Sequence, residues 1–317
     1  MRAAVPLLVA TFAVAAHAQD LSILAGSMKS AERGDRTFAL GLEYSHDLGE
    51  HLAASVDYRN EGHIPGHHRD GQAAMLWLRA RPVVPELTLA AGGGPYYYFD
   101  TTVAETGSAE AFNNAHGWGW LYGASATWRP PGSRWSWQLR LERTETPHNI
   151  DTTLLMAAVG YRLDQDSSFR ASAPEWERRH DDEIFAALGQ TIVNSFESQS
   201  AGAGTVEYRH AFGPVIRGSI GWVHEGDARL IRRDGVVAEG WLEPSFSGGR
   251  YTLGIGLGGY FAVDEYRPGS KELQGLVTMT SSLRLANHWV GRFLWHRVAT
   301  RHSRDSDVVV LGAGYRF

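Results

Sequence analysis

Trp135-Ser136-Trp137-Gln138-Leu139-Arg140-Leu141-Glu142 decides the fold. Taken alternately, it separates into Trp, Trp, Leu, Leu on one side and Ser, Gln, Arg, Glu on the other, the period of an extended strand between two unlike environments. The rhythm returns with Phe38, Leu40, Leu42 and Tyr44 against Ala39, Gly41, Glu43 and Ser45. It returns again with Leu52, Ala54, Val56 and Tyr58 against Ala53, Ser55, Asp57 and Arg59. Runs of eight residues approach what a tilted strand needs to cross a bilayer, about 9–11 residues.

A soluble sandwich would alternate in the same way, so the breaks between runs choose. Short turns are expected at Asp47-Leu48-Gly49, Val83 to Glu86 and Pro130-Pro131-Gly132-Ser133, and long polar loops at Asn60 to Asp70 and Asp100 to Gly117. Short periplasmic turns and longer extracellular loops are the asymmetry of outer-membrane barrels. Aromatics gather near the ends of the runs, as in Tyr96-Tyr97-Tyr98-Phe99, Trp118, Trp120, Trp128, Trp135 and Trp289, where interfacial girdles would lie.

The remaining composition agrees. Arg2, the apolar run Ala3 to Ala16 and the small-x-small site Ala16-His17-Ala18 read as a secretory signal over 1–18, with mature protein expected from Gln19. That apolar run is too short to span as a helix, and no later stretch reaches the roughly 20 apolar residues required. Without cysteine there are neither disulfides nor thiolate ligands. A net charge of −5, from 30 Lys and Arg against 35 Asp and Glu, provides no basic field for nucleic acid. Mean hydropathy is below zero, as alternation between a lipid face and a polar interior would make it.

Self-comparison reveals a duplication. At an offset of 164 residues, Glu43-Tyr44, His46, Gly49, Glu61-Gly62, Arg69-Asp70-Gly71 and Trp77-Leu78 match Glu207-Tyr208, His210, Gly213, Glu225-Gly226, Arg233-Asp234-Gly235 and Trp241-Leu242. Gly92, Gly94, Tyr96 and Asp100 likewise match Gly256, Gly258, Tyr260 and Asp264. The offset then falls to 154, a deletion in the loop after Asp264, and Trp135, Arg143, Thr146, His148, Asp151 and Gly160-Tyr161-Arg162 match Trp289, Arg297, Thr300, His302, Asp305 and Gly314-Tyr315-Arg316. Each copy holds about eight strands. The predicted organisation is a first barrel repeat over 19–163, a polar periplasmic linker over 164–182 that carries Pro174, and a second repeat over 183–317.

Two arrangements satisfy this all-β pattern: two eight-stranded transmembrane antiparallel barrels in tandem, or one barrel of about sixteen strands. The tandem is favoured, because each copy ends in its own Gly-Tyr-Arg segment. The inward faces also mix Gly92, Gly94, Gly256 and Gly258 with Tyr96, Tyr98 and Tyr260, side chains that fill an eight-stranded interior. The closing run Val308 to Phe317, with terminal Gly314-Tyr315-Arg316-Phe317, resembles the C-terminal strand of bacterial outer-membrane barrels. That resemblance implies a Gram-negative outer membrane, contact with its lipid and lipopolysaccharide, and recognition by the outer-membrane assembly machinery.

Threading from a periplasmic N-terminus gathers one charged cluster at the extracellular rim. Its members are Glu61, His63, Arg69, Asp70, Asp100 and Glu142 in the first copy, and Glu225, Arg233, Asp234, Asp264 and His296 in the second. Such a cluster can bind or react. Equally, charges at a rim make solvated loops or ion pairs, and Glu43, Arg140 and Glu142 fall on the inward parity, where buried charges are expected to pair. His63, His67 and His68 have ligand chemistry, but the second copy carries Asp227, Leu230 and Ile231 near those places, so no metal or other cofactor is expected.

Trp295-His296-Arg297-Val298-Ala299 is similar in place to the His-x-Ser-Asn segment of PagL-type lipid A deacylases. It departs at Val298, where that family needs its serine, and the first copy has Glu142-Arg143-Thr144 there. Ser303 with His302 or His296 is the remaining serine–histidine combination. Gly92-Gly93-Gly94 lies within a strand, where it permits tight bending rather than phosphate binding. Three functional readings follow: a non-enzymatic barrel with a structural, narrow-passage or surface-binding role; an acyl hydrolase acting on lipid A or phospholipid; and a sixteen-stranded diffusion pore.

Overall fold

The computed structural model describes residues 19–32, 34–82, 84–103, 112–147, 149–164, 182–213, 215–246, 249–267 and 271–317. The expected signal segment 1–18, linker residues 165–181, residues 104–111 of the predicted Asp100 to Gly117 loop, and His148 lie outside the described residues.

Among the described residues, every regular element is a strand. The first eight are β1 (Gln19–Ser30), β2 (Arg36–Asp47), β3 (Leu52–Ile64), β4 (His67–Ala80), β5 (Leu87–Val103), β6 (Phe112–Trp128), β7 (Trp135–Glu145) and β8 (Thr152–Asp164). Each pairs antiparallel with the next, and β8 returns to β1 in the register Ser22↔Gly160 and Leu24↔Ala158, which closes the barrel. The second copy contributes β9 (Asp182–Val193), β10 (Ser200–Ala211), β11 (Ile216–Asp227), β12 (Arg232–Leu242), β13 (Ser245–Phe246), β14 (Tyr251–Asp264), β15 (Lys271–Arg284), β16 (Trp289–Ala299) and β17 (Ser306–Arg316). There β12 pairs with β14, β13 adds a two-residue strip at the base of β14, and β17 closes on β9 with Val310↔Gly189. Closure within each copy makes two eight-stranded barrels and excludes the single sixteen-stranded one, and with it the large diffusion pore.

Alternation sets the two faces. Outward positions carry Leu76 and Leu78 on β4, Trp118 and Trp120 on β6, and Trp135, Trp137, Leu139 and Leu141 on β7; Leu78 is 69% and Leu188 78% exposed. Apolar belts of this extent are stable against lipid and not against water. Inward positions are filled, with Tyr96 and Tyr260 both at 0% exposure.

The hairpin between β3 and β4 corrects the predicted long loop at Asn60 to Asp70. Both strands run on to a tight turn at Pro65-Gly66, with Gly66 at φ 68°, a left-handed conformation that glycine adopts without penalty. The inward polar residues of this stretch, Glu61, His67 and Arg69, are buried in the barrel, and the stretch is strand and tight turn instead of a long loop.

Candidate functional site

The first interior is organised in layers. Near its middle, the Arg140 guanidinium donates to both oxygens of Glu43 at 2.7 and 2.6 Å, and Arg59 donates to both oxygens of Glu142 at 2.9 and 2.8 Å. Asp57 lies 3.5 Å from Arg59, and Arg140 sits 4.8 Å from the Trp77 ring centre, whose indole N–H donates to Ser55. Fork-to-fork pairing of this kind satisfies most of the donors and acceptors that burial strips of water. Toward the end that carries the β3–β4 turn, Arg69 holds Glu61 at 2.6 Å and donates to Thr146, Thr152 and the Ile150 carbonyl.

The second interior keeps the upper layer and rebuilds the lower one. Arg233 pairs with Glu225 at 2.9 Å and donates to Ser306, the position of Thr152. Below, Arg209 on β10 replaces Arg140 over the indole, 4.2 Å from the Trp241 ring centre, and pairs with Glu243. Arg292 joins Glu183 at 2.8 Å to Glu243 at 3.1 Å, and Arg316 caps Glu183 at 3.0 Å.

These positions correct the expected rim cluster. Glu61, Arg69, Glu142, Glu225, Arg233 and His296 are all inside the barrels at 1% exposure or less. Asp100 is buried at the same end of the barrel, faces His67 at 3.0 Å and accepts from the Asn149 amide, while Asp264 accepts from the backbone N–H groups of Arg232 and Tyr266. The three adjacent histidines divide: His67 turns inward, and the His63 and His68 rings stack 4.1 Å apart on the outside. Among the described residues, no group of three or more His, Cys, Asp or Glu is placed to hold a metal ion.

Serine–histidine chemistry finds no assembled site at the residues considered for it. His296 is wholly buried, its Nδ1 is 2.8 Å from the Thr278 hydroxyl, and Glu207 and Glu239 stand 3.7 and 3.8 Å away. Ser303 accepts from the Asn114 N–H, and His302 faces Glu272 at 3.3 Å.

Asp70 and Asp234 face outward, and Asp70 reveals what the sequence reading missed: a polar seam between the barrels. Asp70 forms an ion pair with Arg297 of the second copy and accepts from the Tyr58 hydroxyl at 3.1 Å. Arg297 also holds Asp307 at 2.8 Å, Trp295 donates to the same carboxylate, and the Tyr58 and Trp295 rings meet edge to face at 4.8 Å. Above them, the turn Thr300 to Asp305 rests on β6. Asn114 accepts from the Asp305 N–H at 3.0 Å and donates to the Asn194 carbonyl at 2.8 Å, and His116 Nε2 reaches the Thr300 carbonyl at 2.9 Å. A cavity of about 190 Å³ opens beside this contact, lined by Tyr97 and His116 from one barrel and by Leu273, Gln274, Ala299 and Arg301 from the other. At the opposite end of the barrels, Tyr44 meets Phe246 at 6.0 Å, a second contact between the two copies. The available signal was parity: Asp70, Arg297 and Asp307 are charges at lipid-facing positions, and such charges are costly unless something covers them.

No family model matches the chain, and no curated protein matches it. Among solved structures, the N-terminal β-barrel domain of Pseudomonas aeruginosa OprF is similar over 45% of this chain and 96% of its own, at 10% identity and a TM-score of 0.36. Neisserial surface protein A is similar over 46% and 96%, at 12% identity and a TM-score of 0.36. The translocator domain of the autotransporter NalP from Neisseria meningitidis is similar over 96% and 90%, at 14% identity and a TM-score of 0.22. The barrel assignment stands on the strand pairing and the outward belts, not on these likenesses.

Proposed function

We propose that this chain is a non-enzymatic outer-membrane protein of a Gram-negative envelope, whose two plugged barrels act as a bilayer-embedded structural unit and present the extracellular turns as a rigid binding surface. Lipid and lipopolysaccharide cover the outward belts, and the assembly machinery acts on the strand that ends at Phe317. The observation that carries this reading is the filling of both interiors: Arg59, Arg69 and Arg140 in one barrel and Arg209, Arg233 and Arg292 in the other are at 2% exposure or less, each against a carboxylate. A water path would leave these groups solvated. Eight strands give an interior that side chains can fill.

Planar-bilayer recordings of the refolded protein test it. The expected result is a silent membrane, and discrete steps of porin size would overturn the reading. Lipid A from cells with and without the protein is expected to give the same mass spectrum, whereas loss of an acyl chain would return the hydrolase reading to first place.

A further inference from the structure

The seam joins unlike faces of two like units. The first copy offers the extracellular part of β3 and β4, with Tyr58 and Asp70; the second offers that of β16 and β17, with Trp295 and Arg297. Each copy therefore keeps one half of the contact unused. By the offsets of the duplication, Trp222 and Asp234 are the counterparts of Tyr58 and Asp70, and Leu141 and Arg143 those of Trp295 and Arg297.

The unused halves are built like the used ones and are open. Trp222 and Leu141 are 49% and 52% exposed, and the Asp234 and Arg143 side chains 34% and 39%, against 5% and 6% for Asp70 and Arg297 in the seam. The turn above Arg143 repeats the one above Arg297: the Thr146 N–H donates to Asp151 at 3.1 Å as the Thr300 N–H donates to Asp305 at 2.6 Å. Charge is complementary between the open faces, which carry a carboxylate at one end of the molecule and a guanidinium at the other. In isolation each makes do with a local partner, Asp234 with His224 at 2.6 Å and Arg143 with Asp151 at 2.9 Å. Contacts between unlike faces do not exhaust themselves; they continue into rows until a rotation closes them.

We infer that a second copy of this chain docks on these open faces, its Leu141–Arg143 face against the Trp222–Asp234 face of its neighbour, repeating between molecules the seam within one. The inference goes beyond the plugged-barrel reading and rests on it only for the placement of both barrels in one bilayer.

The chain has no cysteine, so introduced thiols are its only ones. Trp222→Cys with Leu141→Cys, treated with a short bis-maleimide in native outer membranes, is expected to give a ladder of dimers, trimers and larger species; either single variant has no thiol across the contact and should stay monomeric. Tyr58→Cys with Trp295→Cys is the internal control and should cross-link within the chain and run as a monomer. In the ladder-forming background, Asp234→Arg should reduce the ladder roughly tenfold, and Arg143→Asp added to it should restore it. Monomer alone from the first pair while the control cross-links would overturn the inference. So would a ladder indifferent to charge reversal, and so would failure of the control, which removes the seam itself. None of these results bears on conductance, which tests the other reading.

Discussion

Arg59 and Glu142 grip each other through two parallel hydrogen bonds inside the first barrel, and the second copy has exchanged both partners together, for Val223 and His296. Two positions on strands that are far apart in sequence thus change as one unit. Removing only one member leaves a buried charge, a loss of about 3–5 kcal/mol; Arg140 at 3.3 Å from Glu142 holds the Arg59→Val cost to the lower end of that range. Arg59→Val combined with Glu142→His, the pairing the other copy uses, is expected to cost less than the sum of the two single replacements. Urea unfolding of the four proteins in detergent micelles decides it, and strict additivity would show that the two positions are independent.

Gly92 marks where the interior admits no carbon at all. A Cβ there would sit 2.4 Å from the Leu76 carbonyl oxygen and 2.8 Å from the Trp77 indole, and at Gly256 the Trp241 ring stands 2.7 Å away. Gly92→Val should abolish the heat-modifiable gel shift of the folded barrel. At Gly49, in the turn between β2 and β3, nothing lies within 4 Å. Gly49→Ala should leave stability within about 0.5 kcal/mol.

Arg297 ties the barrels together without closing either. Arg297→Met removes the partner of Asp70 and of Asp307 but touches no strand pairing. Faster hydrogen exchange is expected in residues 300–305, which rest on Asn114 and His116, with protection of β1 to β8 unchanged. Loss of protection throughout the first barrel would mean that the barrels fold as one unit.

His302 makes the same turn sensitive to pH. Burial, with Arg267 next in weight, lowers its pKa below the ordinary histidine value, against the opposing pull of Glu272. The folded turn therefore rejects a proton that the opened turn accepts. The penalty is absent above the opened-state pKa near 6.5 and grows as pH falls below it. Exchange of residues 300–305 should quicken between pH 7 and pH 5 in the parent protein, and more than it does in His302→Gln. Equal acceleration in both would assign the effect to other groups.

The period of two, the duplication and the separate Gly-Tyr-Arg endings made two eight-stranded barrels legible before any coordinates, because lipid, pleat and closure act on every residue of every strand. The interior pairs were legible only as parity: Glu43, Arg140 and Glu142 read correctly as inward. Asn60 to Asp70 misled because a plugged barrel is polar on its inside, and polar residues in a strand near its end look like those of a loop. The seam was out of reach for a different reason. Asp70 and Arg297 lie 227 positions apart on different repeats, and no local pattern connects them.

The lower layers of ionised groups differ between the copies, and this bears on how sixteen similar strands sort themselves during insertion. A β7 carrying Glu142 that strayed into the second closure would face Val223 instead of Arg59, an acid with its cation left behind in the other ring. A β10 carrying Arg209 that strayed into the first would part from Glu243. Hairpins of like geometry are thus kept from trading places by private electrostatic locks, and a tandem duplication becomes two rings instead of one tangled one.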